Sequence, residues 1–98
     1  MEIKKNQNGT ALSLALVGRL DTTTAPDLEQ VLADSLSGVT ALEFDFTELE
    51  YISSAGLRLL LSAQKTMNAA GTMTVKNPNS DVMEVFEITG FSDILTIV

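Results

Sequence analysis

The chain contains no cysteine and no histidine. The first absence rules out disulfides and thiolate metal sites. The second removes the commonest general base and the commonest imidazole metal ligand. Basic residues are scarce: six lysines and arginines face thirteen aspartates and glutamates, for a net charge of −7. Such a field repels a phosphate backbone and an anionic bilayer, so neither nucleic acid nor membrane is an expected partner. No apolar run is long enough to cross a bilayer, and the start Met1-Glu2-Ile3-Lys4-Lys5 has no apolar signal region. A soluble, cytoplasmic protein is therefore expected. Nor is there a Gly-rich phosphate loop of the Walker type or a dinucleotide-binding fingerprint.

What remains is an ordinary globular composition, 98 residues with 45% hydrophobic and 19% charged side chains. That suits one domain with one core over residues 1–98. Its hydrophobic period changes along the chain. Glu2 to Gln7 reads as a first strand, and Asn8-Gly9 as a two-residue hairpin turn. Thr10 to Val17 alternates, with Leu12, Leu14 and Leu16 on one face, and Gly18-Arg19-Leu20-Asp21 closes it. Thr22, Thr23 and Thr24 offer cap hydroxyls to a helix near Ala25 to Ser37, with Pro26 in its first turn and Gly38 as its stop. Ala41 to Phe46 alternates again, which a sheet covered on one face would show. An acidic turn follows. A second helix is expected from about Ser54 to Ala70, a strand over Thr72 to Lys76, a third helix capped by Ser80 or Asp81 and ended by Gly90, and a last strand over Ile94 to Val98. The order predicts an α/β domain. Its sheet is mixed and mostly parallel, of about five strands with an N-terminal hairpin, and its helices lie mainly on one face.

Catalysis finds few candidates. A serine nucleophile needs an adjacent base. Without histidine that base would be a buried lysine, yet Lys65 falls on a polar helix face and Lys4, Lys5 and Lys76 on peripheral strands. Glu48 and Glu50 read as solvated turn charges. Asp21 and Asp45 alone do not supply the ligand number that an oxygen-bound ion requires. No enzyme activity, cofactor or metal is expected. Ser53 and Ser54 open the second helix, where a hydroxyl can cap the free amides, serve as a phosphoacceptor, or do both.

Four segments, in order, resemble one known family. They are Gly18-Arg19-Leu20-Asp21 with Thr24-Ala25, Phe44-Asp45-Phe46-Thr47, Tyr51-Ile52-Ser53-Ser54-Ala55-Gly56-Leu57, and Phe86-Glu87-Ile88-Thr89-Gly90-Phe91. Together they are similar to the anti-sigma factor antagonists of the STAS domain family. The resemblance implies a partner-switching module. It would bind an anti-sigma factor with serine kinase activity, be released by phosphorylation at Ser54 rather than Ser53, and be reset by a serine phosphatase. It further implies a partner-binding surface of Asp21, Thr22, Ser53, Ser54, Ala55, Gly56, Arg58 and Leu59. The family usually carries aspartate where this chain has Ser53. An alternative within the family is a subunit docked on the ATPase of a transport or other regulatory complex, with no phosphorylation cycle. Outside it stands a small-ligand or nucleotide module, for which the helix start lacks a basic cluster.

Overall fold

A computed structural model describes all of Met1–Val98. The elements run β1 (Glu2–Asn8), β2 (Ala11–Leu20), α1 (Ala25–Ser35), β3 (Ala41–Asp45), β4 (Leu49–Ile52), α2 (Ser54–Ala70), β5 (Thr72–Lys76) and α3 (Ser80–Thr89), with a 3-10 turn over Phe91–Asp93. β1 and β2 form the expected antiparallel hairpin, and β2, β3 and β5 then pair in parallel in the order β1-β2-β3-β5. β4 pairs in parallel with the far end of β2, making five strands in all.

Alternation decides which face each strand buries. Leu12, Leu14 and Leu16 of β2, Leu42 and Phe44 of β3, and Met73 and Val75 of β5 are buried, while their neighbours are not. α1 answers with Leu28 and Leu32, α2 with Leu57, Leu60 and Met67, and α3 with Val82 and Phe86. The Phe46 ring lies 5.8 Å from Phe44 and 6.4 Å from Phe86, so one aromatic row ties β3 to α3. Each such side chain contributes about 1.5–3 kcal/mol by leaving water. The opposite sheet face stays open and carries Ser13, Glu43 and Lys76, with Glu43 and Lys76 paired at 3.5 Å.

Several details depart from the sequence expectations. Asn8 pairs with Ala11, so the hairpin loop is Gly9-Thr10 and not Asn8-Gly9, with Gly9 alone at positive φ (62°). That is the demand of a turn with glycine at its first central position. β2 does not stop at Val17. Pairing with β4 carries it on to Leu20, with the register shifting between Gly18 and Arg19 where Glu50 of β4 has no partner. The supposed acidic turn is short, because Leu49–Ile52 is strand β4, with Leu49 and Ile52 buried and Glu50 and Tyr51 exposed. The final strand shrinks to one bridge, Val75 to Ile97. Asn79, rather than Ser80 or Asp81, caps α3.

Candidate functional site

The parallel pairing of β2 with β4 builds the site. Leu20 lies opposite Ile52, so Asp21 and Ser53 emerge side by side at the carboxyl ends of adjacent strands. The Ser53 amide donates to the Leu20 carbonyl at 2.9 Å and locks the two exits together. Carboxyl ends of parallel strands are where open α/β sheets commonly place their sites.

The Asp21 exit is a tightly bonded turn. Asp21 Oδ1 accepts from the Thr23 hydroxyl at 2.7 Å, the Thr23 amide at 3.0 Å and the Thr24 amide at 3.2 Å. The Thr24 hydroxyl accepts from the Asp21 amide and donates to the Arg19 carbonyl at 2.8 Å. These threonines therefore do not cap α1 by side chain; they brace the loop. The Thr23 hydroxyl above all, helped by the Thr23 and Thr24 amides and the Thr24 hydroxyl against desolvation, holds the Asp21 carboxyl below its ordinary pKa, so it is charged at neutral pH.

The Ser53 exit is the reverse. Ser53 is the N-cap residue in extended backbone, yet its hydroxyl makes no cap bond and is buried without a partner. Ser54 is the first helical residue and is exposed. The expectation that Ser54 could cap the helix is corrected, since the cap position belongs to Ser53 and its hydroxyl does not use it. No hydrogen bond is made by the amides of Ser54, Ala55 and Gly56; the first helical bond runs from Leu57 to the Ser53 carbonyl at 2.9 Å. No acidic residue occupies the first turn. An exposed hydroxyl thus sits on an unsatisfied helix start whose dipole favours an anion.

Gly56 explains how this start lies so close to the sheet. A Cβ there would meet Leu20 Cγ at 2.7 Å and Ile52 Cγ1 at 2.8 Å, both on buried side chains. Gly56 is itself buried, so it shapes the expected partner surface from beneath.

Thr22, Ala55, Arg58 and Leu59 do come together. They line a cleft of about 420 Å³ between α1 and α2. Ala25, Pro26, Glu29 and Ser62 complete it and were not foreseen. Part of their signal was present: 55, 58, 59 and 62 share the i, i+3, i+4, i+7 spacing of a single face of α2, and 25, 26 and 29 cluster within the first turn and a half of α1, after Thr22 in the loop. Arg58 is exposed and in no ion pair, and it lies on the helix side of Ser54, four residues earlier.

The carboxylates do not all gather here. Asp45 pairs with Ala15, roughly 20 Å back along β2 from Asp21 at about 3.3 Å per residue. Its Oδ1 accepts from the Thr47 hydroxyl and amide, which lower its pKa, with Lys76 adding a smaller pull. Glu48 lies beside Gly18, about 10 Å back on the same measure. Only Asp21 adjoins the helix start through the strand pairing. No cluster of three or more aspartates and glutamates is placed to hold a metal ion, and no helix is long and apolar enough to cross a membrane.

Comparison with known proteins agrees with this fold. The model of the STAS domain matches residues 2–98. An anti-sigma-B factor antagonist from Listeria monocytogenes is 30% identical over 95 residues, covering 95% of this chain and 83% of its own length. An anti-sigma factor antagonist from Mycobacterium paratuberculosis superposes with a TM-score of 0.88 at 20% identity, over 98% of this chain and 83% of that one. The unphosphorylated form of the antagonist SpoIIAA superposes with a TM-score of 0.86 at 21% identity, over 99% of this chain and 88% of that one.

Proposed function

Since this chain belongs to the STAS domain family, we propose that it is an anti-sigma factor antagonist whose binding is switched by phosphorylation of Ser54. Unmodified, it sequesters an anti-sigma factor with serine kinase activity and so releases a sigma factor. Phosphorylated, it lets the kinase go, and a serine phosphatase restores it. The domain acts as a binding module and supplies no catalytic group of its own.

The observation that carries this reading is the open start of α2: an exposed Ser54 hydroxyl beside three amides without acceptors. Ser53 is the poorer acceptor, because its hydroxyl is buried. A phosphoserine brings about −1.5 to −2 charges at neutral pH. The helix start accommodates it, with a dipole contribution of typically 0.3–1 kcal/mol. Asp21 opposes it from the neighbouring exit, while the ~20 Å separation of Asp45 exceeds the Debye length of about 8 Å at physiological salt. The fold therefore has little reason to reorganise. The partner has much: Arg58 is the nearest unpaired cation along the helix, and a dianion buried at an interface with the rest of its charge unmatched costs several kcal/mol, while each 1.4 kcal/mol is about tenfold in affinity. The proposed docking surface takes Asp21 beside the helix start, Ser54 itself and the cleft residues Thr22, Ala55, Arg58 and Leu59, with Ser53 and Gly56 setting its shape.

Isothermal titration of an anti-sigma kinase tests the reading. Ser54→Ala should bind as the unmodified chain does. Ser54→Asp should bind at least about tenfold more weakly. Equal affinity for the two variants would remove Ser54 from the switch.

A further inference from the structure

A second surface lies between β4 and α3 and shares no lining residue with the α1–α2 cleft. It is a groove of about 390 Å³. Ile52 and Val82 form its buried floor; Tyr51, Val85 and Ile88 stand along it. Ile88 is 77% exposed and Tyr51 40% exposed, two of the four large apolar side chains that the chain leaves in water. On α3 the spacing of Asp81, Glu84, Val85 and Ile88 is i, i+3, i+4, i+7, one continuous face, while Val82 and Phe86 hold the helix to the core.

The charges along this groove say what fits it. Glu50, Asp81 and Glu84 line it against a single guanidinium, that of Arg19. Arg19 is already engaged, 4.3 Å over the Tyr51 ring and 3.8 Å from Asp21 Oδ2. The groove therefore presents an apolar strip bordered by carboxylates with no free cation. A second copy of the chain would bring the same carboxylates against it and be repelled, as would an anionic lipid surface. Strand addition at β4 is obstructed, because the Leu49 carbonyl accepts from Asn79 Nδ2 at 3.0 Å.

We infer that the β4–α3 groove docks an amphipathic helix of a protein partner, its aliphatic face on Tyr51, Val85 and Ile88 and its flanking lysines or arginines on Glu50, Asp81 and Glu84. Apolar anchors at helical spacing supply the affinity in such docking, and the charge match supplies selectivity and on-rate. This docking is independent of the switch at Ser54.

The chain itself provides the probe, since Tyr51 is its only tyrosine and it has no tryptophan. A synthetic helix with a leucine face flanked by lysines, free of aromatic residues, should change Tyr51 emission saturably and bind less tightly as salt rises. The same helix with glutamates for lysines should not bind. Ile88→Ser, at a site exposed enough to leave the fold intact, and Glu84→Lys should each weaken the lysine peptide at least tenfold. Ser54→Asp should leave it within about twofold, which separates this surface from the switch. Equal binding of both peptides, indifference to Ile88→Ser, or self-association through this face in sedimentation would overturn the assignment.

Discussion

The starts of α2 and α3 have the same task and opposite solutions. At α3, the Asn79 side chain accepts from the Val82 amide at 2.7 Å, its other end donates to Leu49, the Met83 amide bonds the Asn79 carbonyl, and Asp81 sits in the first turn. The cap bond satisfies the Val82 amide and Asp81 answers the dipole, which leaves only the Ser80 and Asp81 amides without a partner in the chain. At α2, the cap hydroxyl is idle, three amides have no acceptor, and no acid lies in the first turn. What holds the start of α2 against the sheet is close packing at Gly56 and the bond from Ser53 to Leu20. One helix start is committed to stability. The other is left free for an anion or a partner.

The largest effect should come from breaking the packing that stands in for a cap. Gly56→Ala forces a methyl against Leu20 and Ile52, and overpacking of this kind costs about 1–3 kcal/mol. Urea unfolding should show a lower midpoint with an unchanged slope. Next come the caps themselves. Asn79→Ala should cost about 1–2 kcal/mol, through its lost cap bond and the abandoned Leu49 carbonyl. Ser53→Ala should cost under about 0.5 kcal/mol, since there is no cap bond to lose. Similar losses for the two alanines, in the same unfolding assay, would erase the contrast between the helix starts.

The smallest effect concerns the loop beside α2. Asp21 has a lowered pKa in the fold, so its contribution is present above the unfolded carboxylate value of about 3.9 and fades as pH falls through the folded value. A carbon-detected pH titration should place the Asp21 midpoint below the ordinary aspartate value. In Thr23→Ala, which lacks the main donor, it should move back up.

The sheet was legible wherever strands alternate strictly, as at Leu12-Leu14-Leu16 and Leu42-Phe44-Phe46, and the approximate bounds read for α2 match its observed span, Ser54–Ala70. β4 was not. Its burial runs in, out, out, in over four residues, because Glu50 is left without a partner between Leu49, opposite Gly18, and Tyr51, opposite Arg19, which breaks the period of two. Only tertiary pairing makes Leu49–Ile52 a strand. The residues near Ser54 followed from the family resemblance and from helix spacing. That Asp45 lies far from it depends on register, which composition does not carry. The idle Ser53 hydroxyl is a matter of side-chain placement, and a serine before a helix normally reads as a cap.

Amide spectra of the chain with Ser54 unmodified and fully phosphorylated test most directly whether the open helix start takes the phosphoryl group locally. Shifts confined to residues 21–24 and 53–59, with the α3 start at 79–83 silent as the internal reference, are expected together with loss of binding to the anti-sigma kinase. Shifts spread through β2, β3 and β5, or a phosphorylated chain that still binds the kinase, would contradict it.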